Sequence, residues 1–171
     1  ISIIFSTSKG IFIFDKKRNL SKQILKGHSY GITRSKNFWF AQRTTYRVKG
    51  ISKGRRVSNI IKFKINNYFI NNLSVAVLGL RGEIHQIDFI GDKLYVPYTN
   101  YGLILNYDLN RKLYKRITDL FSDKKQFALI EPSHLNSVYS DKRYIYLIAH
   151  NYTSKTNRSS DLIVYDERNG D

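Results

Sequence analysis

The 171 residues contain no cysteine and no methionine. Without cysteine there can be no disulfide, no thiolate nucleophile and no Cys-ligated metal, and the redox compartment stays open. Without methionine, even at the first position, the chain reads as a fragment or a processed product. No stretch approaches the roughly 18 consecutive apolar residues of a membrane helix. The opening ISIIFSTSKGIFIF is interrupted by Ser, Thr, Lys and Gly, which excludes a signal-peptide core; neither feature assigns a compartment. Helical spacing is scarce as well, with room for one helical turn within 113–130. Acidic residues are few: 13 Asp and Glu stand against 29 Lys and Arg, for a net charge of +16. Such a balance raises nucleic acid or an anionic surface as a partner. Two features argue against nucleic acid. The chain is rich in Ile, Lys, Asn, Tyr and Phe, whose codons are AT-rich, and the charge is spread without a dense basic tract or a Gly-aromatic signature.

What the sequence has in quantity is strand-forming residues. Short runs of apolar and aromatic residues appear in IFIFD (11–15), FWFAQ (38–42), KLYVPYT (93–99), LILNYD (103–108), YIYLIAH (144–150) and LIVYD (162–166). Runs of this length, separated by polar turns, predict β-strands and hairpins. Three segments align: HSYGITRSKNFWFAQRT from His28, EIHQIDFIGDKLYVPYT from Glu83 and HLNSVYSDKRYIYLIAHN from His134. Each gives a strand ending at Ile32, Ile87 or Val138, a turn, and an aromatic-rich strand around Trp39, Tyr95 or Tyr146. A third strand follows each, and two lead into a fourth (73–80 and 112–120). The restarts lie about 50 residues apart, the period of a four-stranded antiparallel propeller blade. With ISIIFSTS, GIFIFD and LSKQILK in front, the pieces are about 1–26, 27–81, 82–130 and 131–171 of one segment. The predicted fold is all-β, about three and a half blades of a β-propeller. Stable propellers have 4 to 8 blades, so further blades, to six or seven in all, or another chain would complete it.

The fragment LKGH (25–28) and the strand-ending pairs Phe14-Asp15, Tyr107-Asp108 and Tyr165-Asp166 carry a resemblance. The chain resembles the broad group of propellers that includes NHL-repeat, gluconolactonase-type and WD-repeat proteins. It has a single Gly-His, and Trp39 stands apart from any strand-ending dipeptide. The resemblance therefore concerns architecture and leaves the function to the residues.

Those residues gather at one place. Side chains two apart on a strand share a face, so counting back from Ile32, Ile87 and Val138 aligns Tyr30 with His28, His85 with Glu83, and Asn136 with His134. His150, closing the antiparallel neighbour of the His134 strand, falls at the same end. Imidazoles are common metal ligands, and three of them with an open position form a catalytic zinc pattern. Propeller lyases of the peptidyl-hydroxyglycine type draw zinc-binding histidines from separate blades. That resemblance implies a metal set of His28, His85 and His134 for zinc or calcium, with Glu83 or Tyr30 as base or acid. The plainer reading has these polar groups bonding each other and channel water. Long loops beside them, 43–58 and 151–160, add Arg43, Arg55 and Arg56, which suit a carboxylate, sulfate or phosphate.

Other chemistries find no support. The single G-x-S-x-G, GISKG at 50–54, has no helical pattern after Ser52 and so makes no nucleophile elbow. Asp15, Asp108 and Asp166 are expected to form turns. Two function classes stay open: a module binding a protein, an anionic small molecule or a glycan, and a metal-dependent lyase or hydrolase.

Overall fold

A computed structural model describes residues 2–45, 57–81, 84–99, 102–117, 134–141, 144–150 and 159–166. Glu83, Arg55 and Arg56 lie outside them, as do 118–130 and 151–158. The described residues form strands and turns with no helix, so no helix is long and apolar enough to cross a membrane.

The fourteen strands are β1 (Ser2–Thr7), β2 (Gly10–Asp15), β3 (Leu20–Lys26), β4 (Ile32–Ser35), β5 (Phe38–Thr45), β6 (Val57–Asn66), β7 (Phe69–Arg81), β8 (Asp88–Ile90), β9 (Lys93–Tyr98), β10 (Leu103–Asp108), β11 (Leu113–Ile117), β12 (Leu135–Ser140), β13 (Tyr144–Ala149) and β14 (Asp161–Asp166). Neighbours in sequence pair antiparallel into four sheets: β1–β3, β4–β7, β8–β11 and β12–β14. Every strand-like run noted in the sequence lies on one of them. Leu113–Ile117, the described part of 113–130, is the fourth strand expected over 112–120 and holds no helical turn.

The chain divides into two compact units, Ile1–Glu83 and Ile84–Asp171. In the first, Ile11 of β2 packs with Ala41, Ile61 and Phe63 of β5 and β6. In the second, Tyr95 and Ile104 pack with Leu135, Val138, Ile145, Leu147 and Ala149. Each core is thus the facing surfaces of two sheets, as alternating apolar strands require.

A polar latch joins the two sheets of the first unit at their turns. The β6–β7 hairpin turns through Asn67 and Tyr68 with φ of 48° and 65°, the two left-handed positions of a type I′ turn. Tyrosine is an unusual occupant there, and its hydroxyl donates to Oδ2 of Asp15 at the end of β2. Oδ1 of Asp15 meanwhile accepts from the backbone N–H of Lys17 (2.9 Å) and Arg18 (3.3 Å). Asp108 does the same for Asn110 and Arg111, so Asp15 and Asp108 form turns, while Asp166 ends β14 opposite Tyr144 and the residues after it lie outside the described ones. The Tyr68 hydrogen bond, foremost, holds the Asp15 carboxyl below its ordinary 3.8. A depressed carboxylate contributes stability above its unfolded value and loses it as pH falls through the folded one. Tyr68→Phe is therefore expected to lower the urea midpoint of the first unit at pH 7, the deficit shrinking below pH 3.8. Identical midpoints at pH 7 would remove the latch from the account.

The sequence alignment placed the histidine segments within strands that end at Ile32, Ile87 and Val138, and the structure corrects this. β4 begins at Ile32 and β8 just after Ile87. Residues 27–31 instead bridge two sheets: Gly27 N donates to Lys9 O and Ser29 N to Thr7 O, while Gly31 O accepts from Gln42 N. A backbone whose donors are shared between sheets cannot keep a regular ladder. In β12 the register against β13 shifts between Leu135 and Ser137, leaving Asn136 as the extra residue of a bulge. Leu135 and Val138, three apart, are in consequence both buried. Counting in twos from Val138 to Asn136 and His134 does not survive that bulge.

Candidate functional site

In the first unit the polar residues form a network around Gln42, which is 0% exposed. Its side chain lies inside because residues two apart on β5, Phe40, Gln42 and Thr44, share a buried face. Its Oε1 accepts from the Tyr30 backbone N–H (3.0 Å). Its Nε2 donates to Thr44 Oγ1 (2.7 Å) and Ser58 Oγ (3.0 Å). The Thr44 hydroxyl also lies within hydrogen-bond distance of Nδ1 of His28, 3.3 Å away. The His28 carbonyl accepts from Thr44 N (3.0 Å), and its ring meets Tyr30 edge-on at 4.4 Å. Arg43 lies over Gly27 and donates from Nη2 to Lys26 O (3.4 Å). Sequence reasoning found His28, Tyr30 and Arg43 and missed Gln42, although a lone amide inside FWFAQRT was a visible signal.

In the second unit three imidazoles gather from three chain segments. The His134 ring stands 5.3 Å from that of His85 and 5.7 Å from that of His150. His134 precedes β12 with a left-handed φ of 49°, and its carbonyl accepts from His150 N (3.1 Å). The flanking backbone is pinned twice more: Thr99 Oγ1 donates to Leu135 O (2.7 Å), and Gln86 N donates to Asn136 O (3.1 Å). That last bond carries the His85 segment against the bulge. Nε2 of His85 and Nδ1 of His134 are buried, while His150 is exposed. Burial first, then the neighbouring charge of His150, pushes the His134 imidazole below its ordinary 6.5. A neutral ring presents one N–H and one lone pair, and a ring that takes up a proton presents two donors.

The sequence predicts a metal set of His28, His85 and His134. His28 lies in the first unit, whereas His85 and His134 lie in the second with His150. Among the described residues no group of three or more His, Asp or Glu side chains is set to hold a metal ion. No step is derived through zinc or calcium. The candidate base Glu83 and the arginines Arg55 and Arg56 fall outside the described residues.

No family model and no curated protein matches the chain. Among solved structures, it is similar to a luciferin-regenerating enzyme, with a TM-score of 0.57 at 9% sequence identity. The likeness covers 90% of this chain and 50% of that one, so the chain spans about half the length of the enzyme it matches. At that identity the similarity is one of fold: an all-β chain of successive antiparallel sheets.

Proposed function

We propose that the chain is a binding module on a propeller-type scaffold and that its second unit takes an anion-bearing ligand, such as an acidic sugar or a phosphorylated group, at His85, His134 and His150 beside Asn136. The scaffold reading is supported by the order of strands, three, four, four and three to a sheet. These correspond to about three and a half blades of a longer propeller, and a solved neighbour is about twice as long. Exposed Ile3 on β1 and exposed Leu162 and Val164 on β14 are apolar positions that further strands would cover.

The observation that carries the ligand reading is the convergence of three imidazoles from separate segments. Rings 5.3 and 5.7 Å apart repel one another once protonated, and an anion between them removes that penalty while accepting their N–H donors. Binding is therefore coupled to proton uptake and strengthens as the pH falls toward 6. Thermal melting in phosphate against chloride of equal ionic strength tests this. A phosphate-specific rise of roughly 5 °C near saturation is expected at pH 6, smaller at pH 8, and absent in His134→Asn and His150→Ala. A rise that persists in both variants is a general salt effect and contradicts the site.

A further inference from the structure

The net charge is not shared between the two units. Residues 1–83 hold 17 Lys and Arg against two acids, Asp15 and Glu83, for a net +15; residues 84–171 hold 12 against 11, for a net +1. A codon bias toward lysine acts on both halves and leaves the loss of acids from one of them unexplained. Eight of the twelve described cations of the first unit share a place, while Lys9, Lys26, Arg43 and Arg81 lie toward the other end of its sheets. The β2–β3, β4–β5 and β6–β7 turns lie at one end of its sheets, joined there by the Asp15–Tyr68 latch. Lys16, Lys17 and Arg18 lie in the first turn, with Lys22 on β3 just after it. Arg34 and Lys36 flank the second, and Lys62 and Lys64 lead into the third. Asp15, the one acid among them, is buried and occupied by Tyr68 and the turn backbone.

Aromatic rings stand among these cations. Lys22 Nζ lies 3.5 Å from the ring centre of Phe69, which is 61% exposed. Lys62 and Lys64 lie 3.9 and 4.7 Å from that of Phe38, Arg34 5.5 Å from that of Trp39, and Arg18 5.8 Å from that of Tyr68. Positive charge serves any polyanion. Exposed Phe69 and half-buried Phe38, Trp39 and Tyr68, interleaved with it, suit bases that stack, which a single strand offers and a duplex or a lipid headgroup does not.

We infer that this turn-bearing end of the first unit binds single-stranded nucleic acid, with its lysines and arginines on the phosphates and Phe69 as a stacking platform. The surface is separate from the histidine cluster and does not depend on the anion reading above.

Fluorescence anisotropy with a labelled mixed-sequence 20-nucleotide single strand tests it, beside the matching duplex and phosphatidylcholine–phosphatidylserine vesicles. The single strand is expected to bind tighter than either. Its affinity should fall roughly 50-fold between 50 and 200 mM salt if about four phosphates are neutralised. Phe69→Ala is expected to weaken it about ten-fold. Reversal of Lys16, Lys17 and Arg18 to Glu should weaken it further and flatten the salt dependence, while Lys112→Glu in the second unit leaves it unchanged. His134→Asn is expected to have no effect, which separates this surface from the histidine site. Equal affinity for strand and duplex, preference for vesicles, or full binding by Phe69→Ala with its fold verified by circular dichroism would each overturn the inference.

Discussion

Gly10→Ala is expected to destabilise the first unit by roughly 3 to 5 kcal/mol, the range of severe core and backbone lesions. Gly10 opens β2 with φ at +146°, a conformation that residues with a Cβ rarely adopt. Space is short as well. A Cβ there would stand 2.0 Å from the Leu25 carbonyl oxygen and 2.8 Å from Nε2 of Gln23. The first obstacle is backbone of the neighbouring strand, held in the β2–β3 ladder one residue from the register shift between Ile11 and Phe12. It can move only if the ladder opens. Gly79, at φ +78° with nothing within 4 Å of an added Cβ, separates the two causes. Its alanine variant meets only the left-handed penalty of about 1 to 2 kcal/mol. Urea unfolding of both variants measures the difference, and equal losses would mean that the contact with Leu25 is absent.

Gln42→Leu is expected to cost about 2 to 4 kcal/mol despite the similar volume and greater hydrophobicity of leucine. Burial of an apolar side chain is favourable, but the change strips partners from groups that remain inside. The Tyr30 N–H loses its acceptor and the hydroxyls of Thr44 and Ser58 lose their donor. Each lost hydrogen bond costs about 0.5 to 1.5 kcal/mol, and three together outweigh the gain. Gln42→Glu distinguishes packing from polarity: it keeps the acceptor for Tyr30 and loses the donor, so its stability should lie below wild type. Urea midpoints for the two variants equal to wild type would contradict the network.

Strand identity was legible because it is written in local alternation. IFIFD and YIYLIAH reach the core with alternate side chains, FWFAQ and LILNYD are short apolar runs with neighbouring residues buried on both faces, and the turn residues between them fix the hairpins. The start of each histidine segment was not legible. The donors of Gly27, Ser29 and Gln86 bond across sheets, and such sharing leaves no mark in hydrophobic period. The bulge at Asn136 is equally silent, since an inserted residue changes parity without changing composition. For the same reason the pairing of His134 with His150 could be anticipated from a hairpin, whereas the approach of His85 depends on the Gln86–Asn136 bond. The charge asymmetry was open to counting, but the division at Glu83 that gives it meaning comes from packing.

The histidine cluster is the centre of the account, and proton NMR titration of its imidazoles addresses it most directly. His134 is expected to titrate below 6.5, as its burial and the His150 charge require, so that the unfolded chain binds a proton first and stability falls as pH drops below that value. Addition of phosphate should raise the His134 midpoint, and His150→Ala should raise it without phosphate. An ordinary midpoint near 6.5, unmoved by either, would contradict a coupled anion-binding cluster.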